Sequence, residues 1–327
     1  MNAILVNHDQ SLRWDKVPDP VLGERDVLIE IHYAALNRAD LMQRAGDYPP
    51  PPGAPEWMGL EVSGYIRAMG KTAEKESPYR IGDAVCALLG GGGYAEYVAV
   101  PYDMLMPIPV GRTLAEAAAM PEAFCTAYLD LFYEGNAKAG DTLLMHAGAS
   151  GLASVVIPMA KAFGLRVITT VLGKDAAKAI APLGADMIVD TTVTDIRDVL
   201  REQLALGTPV SVTIDCLGGT EMGACLPYLA HGARWIMIAA LAGTLTEIDL
   251  KNIYVRNVRI IGATLRSRTP AFKAELIAEL VRTAWPKVEA GLIPSSIYAE
   301  FPIEEAEAAQ SIMASGGHNG KIVLRVK

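Results

Sequence analysis

The stretch LLMHAGASGLASVVIPMAKAFG holds its chemistry in its turn. Gly148, Ser150 and Ala153 stand at the three places of the Gly-x-Gly-x-x-Gly spacing that seats a dinucleotide pyrophosphate. The first place serves a tight turn, the second a close backbone approach, and the third helix-on-strand packing. Gly151, one place late, still allows the chain to bend where a Cβ would crowd a phosphate, and Ser150 adds a hydroxyl donor. Alanine at the third place is a permitted variant. From Leu152 onward a helix is expected, whose free N–H groups and positive dipole end would face the phosphates. A strand before, a helix after and a second strand ending about 20 residues later lift this above a chance glycine turn.

A site for NAD places an Asp or Glu at the end of that second strand, on the ribose 2′-hydroxyl. Here the strand RVITTV ends without charge, and Gly173, Lys174 and Lys178 follow. That pattern favours a 2′-phosphate, hence NADP as NADPH, although Asp175 lies next to Lys174. His146, directly before the turn, reads as a packed strand-end residue rather than a proton donor.

No metal is expected. Cys86, Cys125, Cys216 and Cys225 fall far apart without a Cys-x-x-Cys pair, and His8, His32, His231 and His318 show no ligand spacing. The cysteines read as reduced core residues.

The elements that position the turn follow from residue 141 as apolar strands alternating with helical segments: DTLLMHA, RVITTV, DMIVDT, VSVTIDCLG, RWIMIAA and VRIIGAT are the strands. They predict a six-stranded, doubly wound parallel sheet. Before residue 110 short β-like runs separated by Gly and Pro clusters predict a mostly antiparallel domain, with YPPPPGAP as a stiff loop and the glycine run 90–93 as a flexible one. The tail returns to this texture, through IYAEF and KIVLRVK, after the helix AELIAELVRTAWPKVEAG. Residues 1–118 and 268–327 are therefore expected to form one domain, with 119–267 inserted as the dinucleotide-binding domain.

The length of 327 residues allows two such domains. A net charge of −8 with no basic stripe argues against nucleic acid, and neither a signal peptide nor an apolar membrane span is legible. The reading is a cytoplasmic protein.

Across almost its whole length the chain resembles the zinc-independent quinone oxidoreductases of the medium-chain dehydrogenase/reductase superfamily, those similar to zeta-crystallins and to the tumour-suppressor-inducible branch. The stretches that carry the resemblance are ALNRADLMQRAGDYPPPPG, GLEVSG, GDAVCALLGGGGYAEYVAVP, MPEAFCTAY, HAGASG, DCLGG, LRSR and NGKIVL. The resemblance implies a GroES-like, mostly β catalytic domain, an inserted Rossmann domain, and a homodimer, for which the apolar VRIIGAT would supply the edge. It also implies hydride transfer from NADPH to a quinone. Zinc-dependent relatives carry a Cys near Asn37 and a His just before Glu61, where this chain has Leu60. Glu61 alone cannot complete a tetrahedral site.

The family pattern assigns Asn37 and Asp40 to positions near the nicotinamide and Tyr48 to a hydrogen bond on the substrate carbonyl. Asn37 also stands where a helix N-cap is expected. Thr126, Arg266, Asn319 and Lys321 match positions beside the cofactor, the last two near its phosphate; Arg266 could also meet the substrate. Two other functions fit the same residues: NADPH-dependent reduction of an enone or alkenal, and a non-enzymatic NADPH-binding protein of structural or RNA-associated type.

Overall fold

A computed structural model describes residues 1–316 and 320–327 and divides the chain into two compact units. The first comprises Met1–Cys125, Arg266–Ala290 and Ser295–Lys327; the second comprises Thr126–Leu265 and Gly291–Pro294.

The first unit opens with an antiparallel pair, β1 (Asn2–Val6) and β2 (Leu12–Lys16). There follow β3 (Asp26–Ala35), α1 (Arg38–Ala45), β4 (Glu61–Met69), α2 (Lys71–Glu76), β5 (Ala84–Leu88), β6 (Tyr97–Pro101), β7 (Leu105–Pro107) and α3 (Leu114–Ala118). Helix α4 (Pro121–Tyr128) straddles the division, so the structural boundary lies several residues beyond the 118/119 junction expected from sequence.

The second unit continues through β8 (Thr142–Met145), α5 (Ala153–Ala162), β9 (Arg166–Val171), α6 (Lys174–Ile180), β10 (Met187–Asp190), α7 (Ile196–Ala205) and β11 (Val210–Asp215). It closes with α8 (Gly219–Cys225), β12 (Arg234–Met237), α9 (Leu250–Arg256) and β13 (Arg259–Gly262). The chain re-enters the first unit with α10 (Pro270–Glu289), β14 (Ile297–Pro302), α11 (Ala306–Ser315) and β15 (Lys321–Arg325).

In the first unit the main sheet runs β14-β15-β3-β4-β5-β7, with β6 also on β3; only the β14/β15 pair is parallel. The alternation in DVLIEIHYAA sets its face, burying Val27, Ile29 and Ile31 completely. Gly64 permits the approach of β4 to β3, since a Cβ there would lie 1.9 Å from the Glu30 carbonyl oxygen.

The second unit has the predicted parallel sheet, in the order β10-β9-β8-β11-β12-β13. Its inner strands read as unbroken apolar runs because helices cover both faces, as in β8, where all four residues are buried. Leu144, Ile168, Val189 and Trp235 of the sheet pack with Ile196 and Leu200 of α7 and Leu226. Strand order reverses between β8 and β11, which is where such sheets take ligands, beyond the carboxyl ends of their strands. Among the described residues no helix is long and apolar enough to cross a membrane.

Candidate functional site

In the second unit the turn over residues 146–152 leaves β8 at the sheet's reversal point. Its left-handed residue is Ala147, at φ 54°, and not Gly148. Gly148 is demanded by packing instead: a Cβ there would sit 2.3 Å from Thr169 Oγ1 and 2.9 Å from Ile180 Cδ1. Ser150 Oγ accepts from the Ala153 N–H at 3.2 Å, and Ser154 Oγ donates to the Gly151 carbonyl at 2.7 Å. The N–H groups of Ala149, Gly151 and Leu152 make no hydrogen bond among the described residues. Three open donors at the head of α5 form a cradle for an anion.

The end of β9 adds Gly173, at φ 90°, with Lys174 beginning α6 and Lys178 about one turn on, both lysines exposed. Asp190, at the end of β10, was not singled out from sequence; its Oδ1 accepts from the Gly173 N–H at 2.8 Å and it lies within electrostatic reach of Lys174. Thr126 is half-buried in α4.

His146 is 2% exposed, with its ring 5.7 Å from that of Trp235 and its Nδ1 3.2 Å from Thr170 Oγ1. Burial lowers its proton affinity, so it is neutral at pH 7. Asp215, at the end of β11, accepts from Trp235 Nε1 at 2.9 Å and from the N–H groups of Leu217 and Gly218, which fixes the loop after β11.

In the first unit a buried polar cluster forms where β15, β4 and the β3–α1 junction meet. Lys321 Nζ lies 2.7 Å from Glu61 Oε1, 2.7 Å from Asn37 Oδ1 and 2.8 Å from the Leu36 carbonyl. An ammonium has three donors, so all are engaged. Lys321, which the resemblance sets beside the cofactor phosphate, is here paired with the buried carboxylate of Glu61. Asn319, matched to the same motif, lies outside the described residues, as does His318. Asn37 Nδ2 donates to Glu61 Oε1 at 2.9 Å, and Glu61 Oε2 accepts from the Glu122 N–H at 2.9 Å. Asn37 is indeed the N-cap of α1, and its side chain is held by this cluster.

Asp40, which the resemblance sets near the nicotinamide, anchors the start of α1 and the segment at Gly59. It is 1% exposed and accepts from the N–H groups of Asn37 (2.8 Å) and Gly59 (3.2 Å) and from the Tyr94 hydroxyl (2.9 Å). Burial raises its pKa to about 6 against those bonds. Sequence reasoning missed Tyr94 and weighed Glu61 only as a metal ligand; an acid opening the apolar strand EVSGYI was the available signal for its buried pairing.

Tyr48 is half-buried, and the Arg266 guanidinium carbon lies 4.9 Å from its ring centroid. A phenol is protonated at pH 7, and burial raises the Tyr48 pKa further while Arg266 opposes the rise. That hydroxyl has no hydrogen-bond partner among the described residues. The glycine run is not the flexible loop expected: Gly92 N–H donates to the Trp57 carbonyl and Gly93 N–H to that of Gly59, with residues 91–93 buried.

A parallel sheet with a dinucleotide turn at its reversal point, in a chain that also carries a separate antiparallel β unit, defines a nucleotide-dependent dehydrogenase of two-domain type. Family models agree: one described as an alcohol dehydrogenase GroES-like domain matches residues 23–110, and one described as a zinc-binding dehydrogenase matches residues 151–282. The chain belongs to the medium-chain dehydrogenase/reductase superfamily and is an oxidoreductase. Mouse quinone oxidoreductase is 28% identical over 310 residues, covering 93% of this chain and 90% of its own length. The human protein of the same name is 27% identical over 307 residues with the same coverage. Among solved structures, a mycobacterial quinone oxidoreductase aligns over 99% of both chains with a TM-score of 0.85 and 26% identity. The quinone oxidoreductase of Thermus thermophilus, solved alone and with NADPH, aligns over 100% of both chains with a TM-score of 0.81 and 29% identity.

Proposed function

We propose that the protein reduces quinones with NADPH and without zinc. The observation that carries the reading is that the buried carboxylate of Glu61 is already paired with the ammonium of Lys321, in a chain that also carries a dinucleotide turn. Asn37 and Leu60 offer neither thiolate nor imidazole, so no tetrahedral metal set can assemble around Glu61.

The cofactor fits the residues present. The open N–H groups of Ala149, Gly151 and Leu152 suit a pyrophosphate, and Lys174 and Lys178 suit a 2′-phosphate. When bound, NADPH supplies a hydride from C4 of its nicotinamide. With no Lewis acid to polarise the acceptor, the substrate must already be electron-poor, which a quinone is. Tyr48 donates a hydrogen bond from its hydroxyl to the acceptor carbonyl as negative charge develops there. Its ring, 4.9 Å from the Arg266 guanidinium carbon, offers a flat surface to a flat acceptor. Asn37 and Asp40 act one step back, fixing the start of α1 and the segment at Gly59.

Initial rates with a panel of quinones, enones and alcohols, using NADPH and NADH and repeated after exhaustive chelation, test this. Quinones turn over with NADPH in preference to NADH, and chelation changes nothing. Activity lost on chelation and restored by zinc would overturn the zinc-free reading, and a preference for enones over quinones would overturn the substrate.

A further inference from the structure

Among the described residues of the first unit, one buried cation makes no ion pair with a carboxylate. Arg266 is 9% exposed, yet among the described residues its guanidinium donates to neutral acceptors alone. Nε and Nη2 donate to the Gly90 carbonyl at 3.0 and 2.8 Å, Nη1 to the Tyr48 carbonyl at 3.2 Å, and Nη2 to Gln43 Oε1 at 2.7 Å. Three other cations of this unit that are withdrawn from water reach an anion: Lys321 reaches Glu61, Arg44 reaches Glu307 and Arg112 reaches Glu116. The carboxylate within electrostatic reach of Arg266 is Asp40, whose two oxygens already accept three hydrogen bonds.

A second cation crowds the first. Lys273, in the first turns of α10, donates from Nζ to the backbone carbonyl of Arg266 at 2.8 Å. Burial, and then the charge of Arg266, lower its proton affinity. Two neighbouring positive charges removed from water are unfavourable unless an anion joins them. Donors remain for one: a guanidinium has five N–H groups and an ammonium three, of which four and one are engaged here. Arg266 also lies over the ring of Tyr48, whose hydroxyl is open.

We propose that Arg266 and Lys273 form an anion-recognition site, and that the acceptor is an anionic quinone or enone carrying a carboxylate or similar oxyanion close to its electron-poor carbonyl. The proposal rests on the reading of Tyr48 as the residue that meets the acceptor. The same oxyanion chemistry could come from a cofactor phosphate. The acceptor is the assignment made here, because the open N–H groups of Ala149, Gly151 and Leu152 already provide for a pyrophosphate in the second unit.

The test is calorimetric titration of the NADP⁺-loaded protein with 2-naphthoate and with uncharged 2-naphthamide. The parent binds naphthoate about tenfold or more tightly than the amide, the scale of a charge-assisted hydrogen bond. That preference falls toward unity in Arg266→Gln and, where that variant folds poorly, in Lys273→Met, while NADPH affinity is unchanged. Equal binding of the two ligands by the parent overturns the proposal without any variant. So does a loss of NADPH affinity in Arg266→Gln with the naphthoate preference intact, which would assign the anion to the cofactor. Turnover is scored separately: no NADPH oxidation with any quinone or enone would sink the proposed reaction, and the naphthoate ratio would still decide the anion site.

Discussion

Lys321 Nζ and Glu61 Oε1 lie 2.7 Å apart, with side chains 8% and 0% exposed, so an ion pair closed from water ties β15 to β4. Removing one partner of such a pair strands the other as a buried charge. Lys321→Met should therefore lower the stability of the first unit by about 3–5 kcal/mol. Adding Glu61→Gln removes the stranded charge and should recover much of that loss. Urea unfolding of the two variants checks it; a double variant no more stable than the single would show that the charge is not what matters.

Asp40 makes the fold sensitive to pH in a defined window. Its pKa is about 6 in the folded chain and near 4 when exposed. Between these values the folded state keeps a proton that the unfolded state releases, so stability falls as pH rises from about 4 to 6, by up to about 3 kcal/mol. Glu30 acts the other way at lower pH, because Lys327 and Arg67 hold its pKa down to about 2. In Asp40→Asn the fall between pH 4 and 6 should disappear, as read from urea midpoints across that range. An unchanged slope would place the titrating group elsewhere.

What the sequence makes legible here is local. The parallel strands show themselves because burial on both faces leaves uninterrupted apolar runs, and the turn after β8 shows itself because its residues are contiguous. The pairing of Lys321 with Glu61 leaves no such trace, since the partners come from opposite ends of the chain and neither spacing nor periodicity connects them. The roles of individual glycines are also hidden. Gly148 reads as a turn residue, yet the left-handed conformation belongs to Ala147, and the contact that forbids a side chain at 148 comes from β9. The glycine run 90–93 reads as flexible for its composition, whereas Gly91, Gly92 and Gly93 allow close packing on the segment 55–59.

That contact makes Gly148→Ala a sharp test of the cofactor site. The added methyl would meet Thr169 Oγ1, which is itself fixed by a 2.8 Å bond to the Met145 carbonyl and fully buried. The turn must move instead, carrying the open N–H groups with it. NADPH affinity, measured by fluorescence titration, should fall about tenfold or more, the range of an overpacked core. Ser150→Ala removes only the bond to the Ala153 N–H and should cost less. Full NADPH affinity in Gly148→Ala would take the turn out of the cofactor site.

The free edge of the second unit's sheet supports a homodimer. Strand β13 ends the sheet, Ile260 on it is 40% exposed, and Leu250, Tyr254 and Val255 of the preceding helix are more exposed still. An exposed strand edge with apolar neighbours is a template for pairing, and a two-fold axis closes it against further growth. Light scattering at micromolar concentration should give the mass of two chains, and Ile260→Lys should give one. A monomeric parent would contradict the assignment.

Tyr48 carries the last prediction. Its hydroxyl is protonated at neutral pH and has no partner within the described chain, while its ring is held by Arg266. Tyr48→Phe keeps the ring and the contact with Arg266 and removes one neutral hydrogen bond, about 0.5–1.5 kcal/mol. The value of kcat/KM for a quinone should fall about 2- to 13-fold, with NADPH affinity unchanged. Tyr48→Ala also removes the flat surface and should cost more. Steady-state rates on several quinones, paired with NADPH titrations, separate the outcomes. A Phe variant equal to the parent would deny the hydroxyl a part in the reaction, leaving the ring alone. A fall in NADPH affinity instead would move Tyr48 from the acceptor to the cofactor.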